Sequence, residues 1–185
     1  MLKTNSDLSF YFQFTNKYVR ALAWILKSPG LLSTPLGTTS QLVDNHWAEQ
    51  LSDEWLIELD KHPQALIEWV NKKPSFRLGI HFESLLLFIF HHLQKQNLIE
   101  NLNHNLPVYD EAHQTLGELD LVYFDKQKQQ RFHWENTVKF YLFRPQEFSF
   151  ERWLGPNGSD WLQRKLEHLF LRQLGITNSI EGKMT

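Results

Sequence analysis

The chain has 185 residues, 42% of them hydrophobic and 14% aromatic, which is enough apolar surface for one globular domain with a buried core. Its formal charge of −2 excludes a global field that would collect polyanions, so any nucleic-acid contact falls to local patches. The absence of cysteine excludes a disulfide framework, a thiolate nucleophile and cysteine-ligated zinc, and the reducing cytoplasm is the expected address. Lys3, Asp7, Lys17 and Arg20 interrupt the stretch from Met1 to Leu26, so no signal-peptide core forms there. The apolar run from Leu85 to Phe90 is far below the roughly 20 residues of a membrane span, and no membrane partner is expected.

In chain order, FTNKYVRALAWILKSPG predicts a helix, with Tyr18, Ala21, Leu22, Ile25 and Leu26 at helical spacing and a stop at Ser28-Pro29-Gly30. Leu31 to Ser40 reads as a loop. SDEWLIELD and HPQALIEWVNKK read as two short helices, the first capped by Ser52 and the second with Pro63 in its first turn. From Ser75, SFRLGIHFESLLLFIFHHLQKQ is apolar on nearly all faces and predicts a helix buried on both sides. Asn97 to Asn105 reads as a polar connection. LPVYD, LGELDLVYF and RFHWENTVKFYLF then read as three strands separated by EAHQT and KQKQQ, and SDWLQRKLEHLFLRQLG as a helix running from Ser159 to Gly175. There is no internal repeat or low-complexity tract. The expectation is a helical N-terminal extension over residues 1–74 packed on an α+β core over residues 75–185.

The second and third strands carry the chemistry. Strand alternation puts Glu118, Asp120 and Val122 on one face, and His133, Glu135, Thr137 and Lys139 on one face of the next strand. A turn centred near Gln127 and Lys128 sets Val122 opposite His133, Asp120 opposite Glu135 and Glu118 opposite Thr137. Directly opposed like charges destabilise a sheet, so something must offset the repulsion. Mg²⁺ suits the task, being a hard ion commonly held by one or two carboxylates while it keeps several waters. Glu83 is the expected third acid, because Gly79, Leu86, Leu87 and Phe90 surround it on its helix and a charge among apolar groups requires a partner. Gly79 leaves a side-chain-free patch one turn before it.

The segments LGIHFESL, GELDLV and HWENTVKFYL, in that order, resemble the PD-(D/E)XK nuclease-like superfamily of the restriction-endonuclease and Holliday-junction-resolvase types. With YVRALAWILKSPGLL and DWLQRKLEHLFLRQL, the chain looks like an uncharacterised bacterial branch, the domain-of-unknown-function family numbered 1853. The resemblance covers most of the chain. It implies a restriction-endonuclease-like αβββα core and hydrolysis of phosphodiester bonds in DNA or RNA with Mg²⁺, or Mn²⁺ in its place. By position it implies Glu83 as the helix acid, Asp120 as central metal ligand, Glu135 as second ligand and Lys139 as the motif lysine. The superfamily lysine usually stands two residues after the acid. Here that position is Thr137, and Lys139 is four residues on, roughly 13 Å along an extended strand. A second alignment places His133 as first ligand and Glu135 in the lysine position. The resemblance also implies a fourth strand after the last helix, where only ITNSIEGKMT follows Gly175, so a truncated core stands beside a short final strand as an expectation.

Plainer readings stand beside these. Asp120 and Glu135 also fit a solvated strand face with surface ion pairs of little energetic value, and Lys139 a strand-edge or salt-bridge lysine. His81, His91 and His92 lack zinc-ligand spacing, the Lys126–Arg131 loop is basic enough to touch phosphates but reads first as a soluble turn, and no phosphate-binding or dinucleotide-binding glycine loop occurs. Two functional classes follow: a metal-dependent nuclease, and a catalytically inactive nuclease-like fold that binds nucleic acid or protein.

Overall fold

A computed structural model describes residues 8–28, 46–72, 74–143, 153–158 and 160–176. The described chain divides into two compact units, a helical one up to residue 98 and a sheet unit from residue 99. The division groups the long helix that begins near residue 78 with the N-terminal helices, whereas the sequence expectation began the core at residue 75.

The helical unit contains α1 (Leu8–Phe12), α2 (Lys17–Lys27), α3 (His46–Glu49), α4 (Asp53–Lys61), α5 (Gln64–Asn71) and α6 (Leu78–Lys95). α2 starts where the Asn16 side chain accepts from the backbone N–H groups of Tyr18 (2.9 Å) and Val19 (3.4 Å), and it buries Val19, Leu22, Ala23, Ile25 and Leu26 along one stripe. Asp60 on α4 ties the α1–α2 turn down by accepting from the backbone N–H groups of Thr15 (2.9 Å) and Asn16 (2.8 Å). Ser52 caps α4 as expected, through the Trp55 N–H. Leu31 to Ser40 lies outside the described residues.

α6 departs from its expected burial on all sides. Its buried residues, Leu85, Leu86, Ile89, Phe90 and Leu93, recur at helical spacing in the C-terminal half, while Leu78, Gly79 and Ile80 are exposed. A run that is apolar all round here means one packed end and one open end. The helix finishes in a Schellman arrangement: Asn97 adopts φ 61°, its N–H bonds to the Gln94 carbonyl and the Leu98 N–H to that of Leu93.

The sheet unit carries an antiparallel sheet in the order β1 (Ile99–Tyr109), β2 (Thr115–Asp125), β3 (Gln130–Trp134). The polar connection expected over Asn97 to Asn105 is instead the first half of β1. Its pattern is disguised because Asn101 and Asn105 take φ values of 52° and 51°, and Asn101 falls at a bulge between Glu100 and Asn103. Both hairpin turns rest on an aspartate: Asp110 Oδ1 accepts from Ala112 N (2.9 Å) and Gln114 N (2.8 Å), and Asp125 Oδ1 from Gln127 N and Lys128 N (2.8 Å each). The third strand is much shorter than RFHWENTVKFYLF. It stops at Trp134, residues 135–141 carry no strand, and β4 (Leu142–Phe143) pairs with β5 (Trp153–Leu154) in a separate two-stranded ladder.

Tyr123 and Phe132 stack across β2 and β3 with ring centroids 5.5 Å apart. Val108, Leu119 and Val122 form a core cluster completed by Leu106 and Ile176. A second cluster joins Leu162 and Leu166 of α7 (Leu162–His168) and Phe170 to Tyr141 and Trp153. α7 passes directly into one π-helical turn, Leu169–Gln173, marked by the bond from Leu174 N to Leu169 O. Ser159, the expected cap, lies outside the described residues, as does the chain beyond residue 176 where a final strand was expected.

Candidate functional site

The register expected for β2 and β3 is the one observed. Val122 faces His133, Leu121 faces Trp134, and the ladder ends there, one step before Asp120 and Glu135. Towards β1, the pairs His104–Leu121 and Leu106–Leu119 keep one register on either side of Asp120, which stands level with the left-handed Asn105. Towards β3, its Oδ2 accepts from Asn136 N at 2.7 Å, which turns the chain out of the sheet and ends the strand. The side chain meant to oppose Glu135 thus holds the backbone of the next residue.

Glu135 is more deeply enclosed than a strand-face acid. Its side chain is 2% exposed, and its Oε1 accepts from His133 Nε2 at 2.8 Å; the His133 side chain is 9% exposed. Oε2 accepts from the Gln173 amide at the end of the π-turn. Gln173 Oε1 in turn accepts from Lys165 Nζ at 3.1 Å and lies 3.2 Å from His168 Nδ1. His133 Nδ1 is buried and finds no hydrogen-bond partner among the described residues. A buried carboxylate is tolerable here because two polar groups face its two oxygens.

Lys139 lies outside any strand, and its ammonium donates to Asp160 Oδ2 at 2.6 Å. That hydrogen bond, reinforced by the charge of Asp160, holds the lysine above its ordinary pKa. Glu83 is half-buried on α6 and belongs to the helical unit, whereas Asp120 and Glu135 belong to the sheet unit. Gly79 is open, with no atom of the described residues within 4 Å of where a Cβ would stand.

Among the described residues no group of three or more His, Asp or Glu side chains is arranged to hold a metal ion. Asp120 and Glu135 supply carboxylate oxygens, and hard oxygen donors of that kind fit Mg²⁺ by chemistry. As the chain is folded, however, Asp120 Oδ2 and both Glu135 oxygens already accept from protein donors, so a cation at Glu135 would replace the Gln173 amide. Gln173, Asn136 and Asp160 were not singled out from the sequence. Gln173 reaches Glu135 from 38 positions away through a π-turn, and no local pattern announces such a contact.

Among the described residues no helix is long and apolar enough to cross a membrane. No curated protein and no solved structure matches the chain. The model of the family described as a domain of unknown function, DUF1853, matches residues 20–185, and the chain belongs to that family.

Proposed function

We propose that the protein is a metal-dependent nuclease of the PD-(D/E)XK type, hydrolysing phosphodiester bonds in DNA or RNA with Mg²⁺, or Mn²⁺ in its place. The observation that supports this reading is the end of the β2–β3 ladder at Leu121 and Trp134, one step before Asp120 on β2 and Glu135 just after β3, with Asn136 N donating to Asp120 Oδ2. Asp120 and Glu135 are the metal ligands in this reading. A bound divalent ion would supply a polarised phosphoryl oxygen and a water of lowered pKa. The chain's own contribution is to hold the carboxylates. Asn136 N fixes Asp120, and His133 orients Glu135 and supports its negative charge. Lys139 steadies developing negative charge only after it leaves Asp160.

The test is calorimetry with Mg²⁺ and Mn²⁺ on the wild type and Asp120→Asn, followed by cleavage of plasmid and oligonucleotide with Glu135→Gln as control. Binding by the wild type, lost in Asp120→Asn and accompanied by cleavage absent from Glu135→Gln, is the expected result. No metal binding by the wild type, or equal cleavage by Glu135→Gln, overturns it. A second reading, a catalytically inactive nuclease-like fold acting as a binding module, is favoured by the pairing of Lys139 with Asp160 and of Glu135 with Gln173, which commits the motif groups to one another's neighbours.

A further inference from the structure

The helical unit has a cleft of about 500 Å³ that belongs to it alone, lined among others by Lys17, Tyr18, Val70, Phe76, Leu78 and His81. Its walls are the first turn of α2, the end of α5, and the start of α6 with the segment before it. Two rings stand together in the wall, Tyr18 and His81, with centroids 5.6 Å apart. Phe76 is fully exposed, an unusual place for a large apolar ring, and Leu78 and Ile80 continue the open surface.

Lys17, in the lining of the cleft, places its ammonium over the Tyr18 ring at 4.9 Å; Lys72, next in the chain to the lining residue Asn71, stands over the Trp69 ring outside the lining at 5.3 Å. Arg77 follows Phe76 directly and is exposed. Among the described residues no acid forms an ion pair with Lys17, Lys72 or Arg77. The sequence WVNKKPSFRLGIHF, residues 69–82, has three cations and no acid, in a chain whose overall charge is −2. The open face therefore combines stacking surfaces with local positive charge.

We propose that this face holds single-stranded nucleic acid, with a base against the rings of the cleft, a second on Phe76, and the phosphates on Lys17, Lys72 and Arg77. Aromatic platforms interleaved with cations are what an unpaired strand requires, because its bases present their flat faces and its backbone presents regular negative charge. A duplex hides those faces within its stack. A free nucleotide is the weaker occupant: the cations come from two separate segments, Phe76 stands clear as a second platform, and the sequence has no glycine-rich phosphate loop. An apolar peptide leaves the uncompensated cations without a role. The inference does not depend on the acids of the sheet unit.

The experiment is fluorescence anisotropy of the full chain with labelled single-stranded oligonucleotides in EDTA, so that metal binding and cleavage play no part. The wild type should bind, with affinity falling as salt rises. Phe76→Ala should weaken binding about tenfold, the loss of one stacked base. The triple variant Lys17→Ala, Lys72→Ala, Arg77→Ala should flatten the dependence of log affinity on log salt by about 2, from roughly 0.7 per single-strand phosphate contact. Circular dichroism establishes that each variant is folded, and Arg77→Glu alone, expected to weaken binding more than Arg77→Ala, serves if the triple variant is not. Absence of single-strand binding by the wild type overturns the proposal. So does affinity unchanged in Phe76→Ala and the charge variants, equal competition by a duplex of the same length, or full competition by a mononucleotide at equal affinity.

Discussion

Trp47, Phe14, Phe90, Leu22 and Leu66 are among the largest fully buried side chains of the helical unit, whose ionic anchor Asp60 sits nearer the rim. In the sheet unit Asp125 is 0% exposed, and the Glu135 and His133 side chains are nearly as enclosed. Helices satisfy their own backbone except at their ends, so the helical unit relies on apolar packing between them and on side chains such as Asn16, Ser52 and Asp60 at the ends. A small sheet with an interrupted strand leaves backbone groups at turns and strand ends, and here carboxylates are drawn inward to receive them. Asp125 closes one hairpin, Asp120 ends a strand, and Glu135 bridges the sheet segment to the π-turn. Shape in the first unit follows volume; in the second it follows hydrogen bonding.

Substitutions should therefore act by different physics in the two places. The largest effect belongs to Phe90→Ala, which removes a ring with no exposure that packs 5.2 Å from the Trp47 ring, and should lower the unfolding free energy by about 4 kcal/mol in urea titration. Hydrogen exchange should report the loss first in the helical unit; uniform loss across both units would erase the contrast. Next comes Glu135→Ala, which strands a buried histidine and the Gln173 amide and should cost about 3 kcal/mol. Glu135→Gln, of the same shape, should cost less, and no cost at all in Glu135→Gln would show that volume rather than charge matters there. The smallest is Asp60→Asn, about 2 kcal/mol from the weakened bonds to Thr15 and Asn16. Burial pushes the Asp60 carboxyl up, but the hydrogen bonds from Thr15 and Asn16 and the charge of Arg20 together outweigh it, leaving its pKa below the ordinary value. A depressed carboxylate contributes stability above its unfolded pKa and loses it as pH falls through the folded value. The gap between wild type and Asp60→Asn in thermal melts should thus hold at neutral pH and close below about pH 4. A gap that persists in acid would remove Asp60 from the account.

What could be read in advance divides along the same line. Ser52 as a cap and the stripe of α2 follow from local chemistry, and both were legible. The pairing of Val122 with His133 was legible too, because a symmetrical polar turn fixes the register. The first half of β1 was not, since asparagines in left-handed conformations break the alternation that identifies a strand. Nor was the end of β3: alternation continues in the letters through Tyr141, but a carboxylate 16 residues earlier takes the Asn136 N–H and removes it from the ladder. For the same reason the two acids could be brought to one place on paper, while the groups already attending them could not be foreseen.

The π-turn at Leu169–Gln173 has a consequence for how this chain tolerates length changes. One such turn is a regular helix with a single residue added, and each helical residue advances the side chains by about 100°. Deleting one residue within it would let the segment relax to an ordinary helix and swing Gln173 away from the carboxylate it now meets. A one-codon indel there, harmless to helicity, would disconnect the two halves of the sheet unit's polar interior.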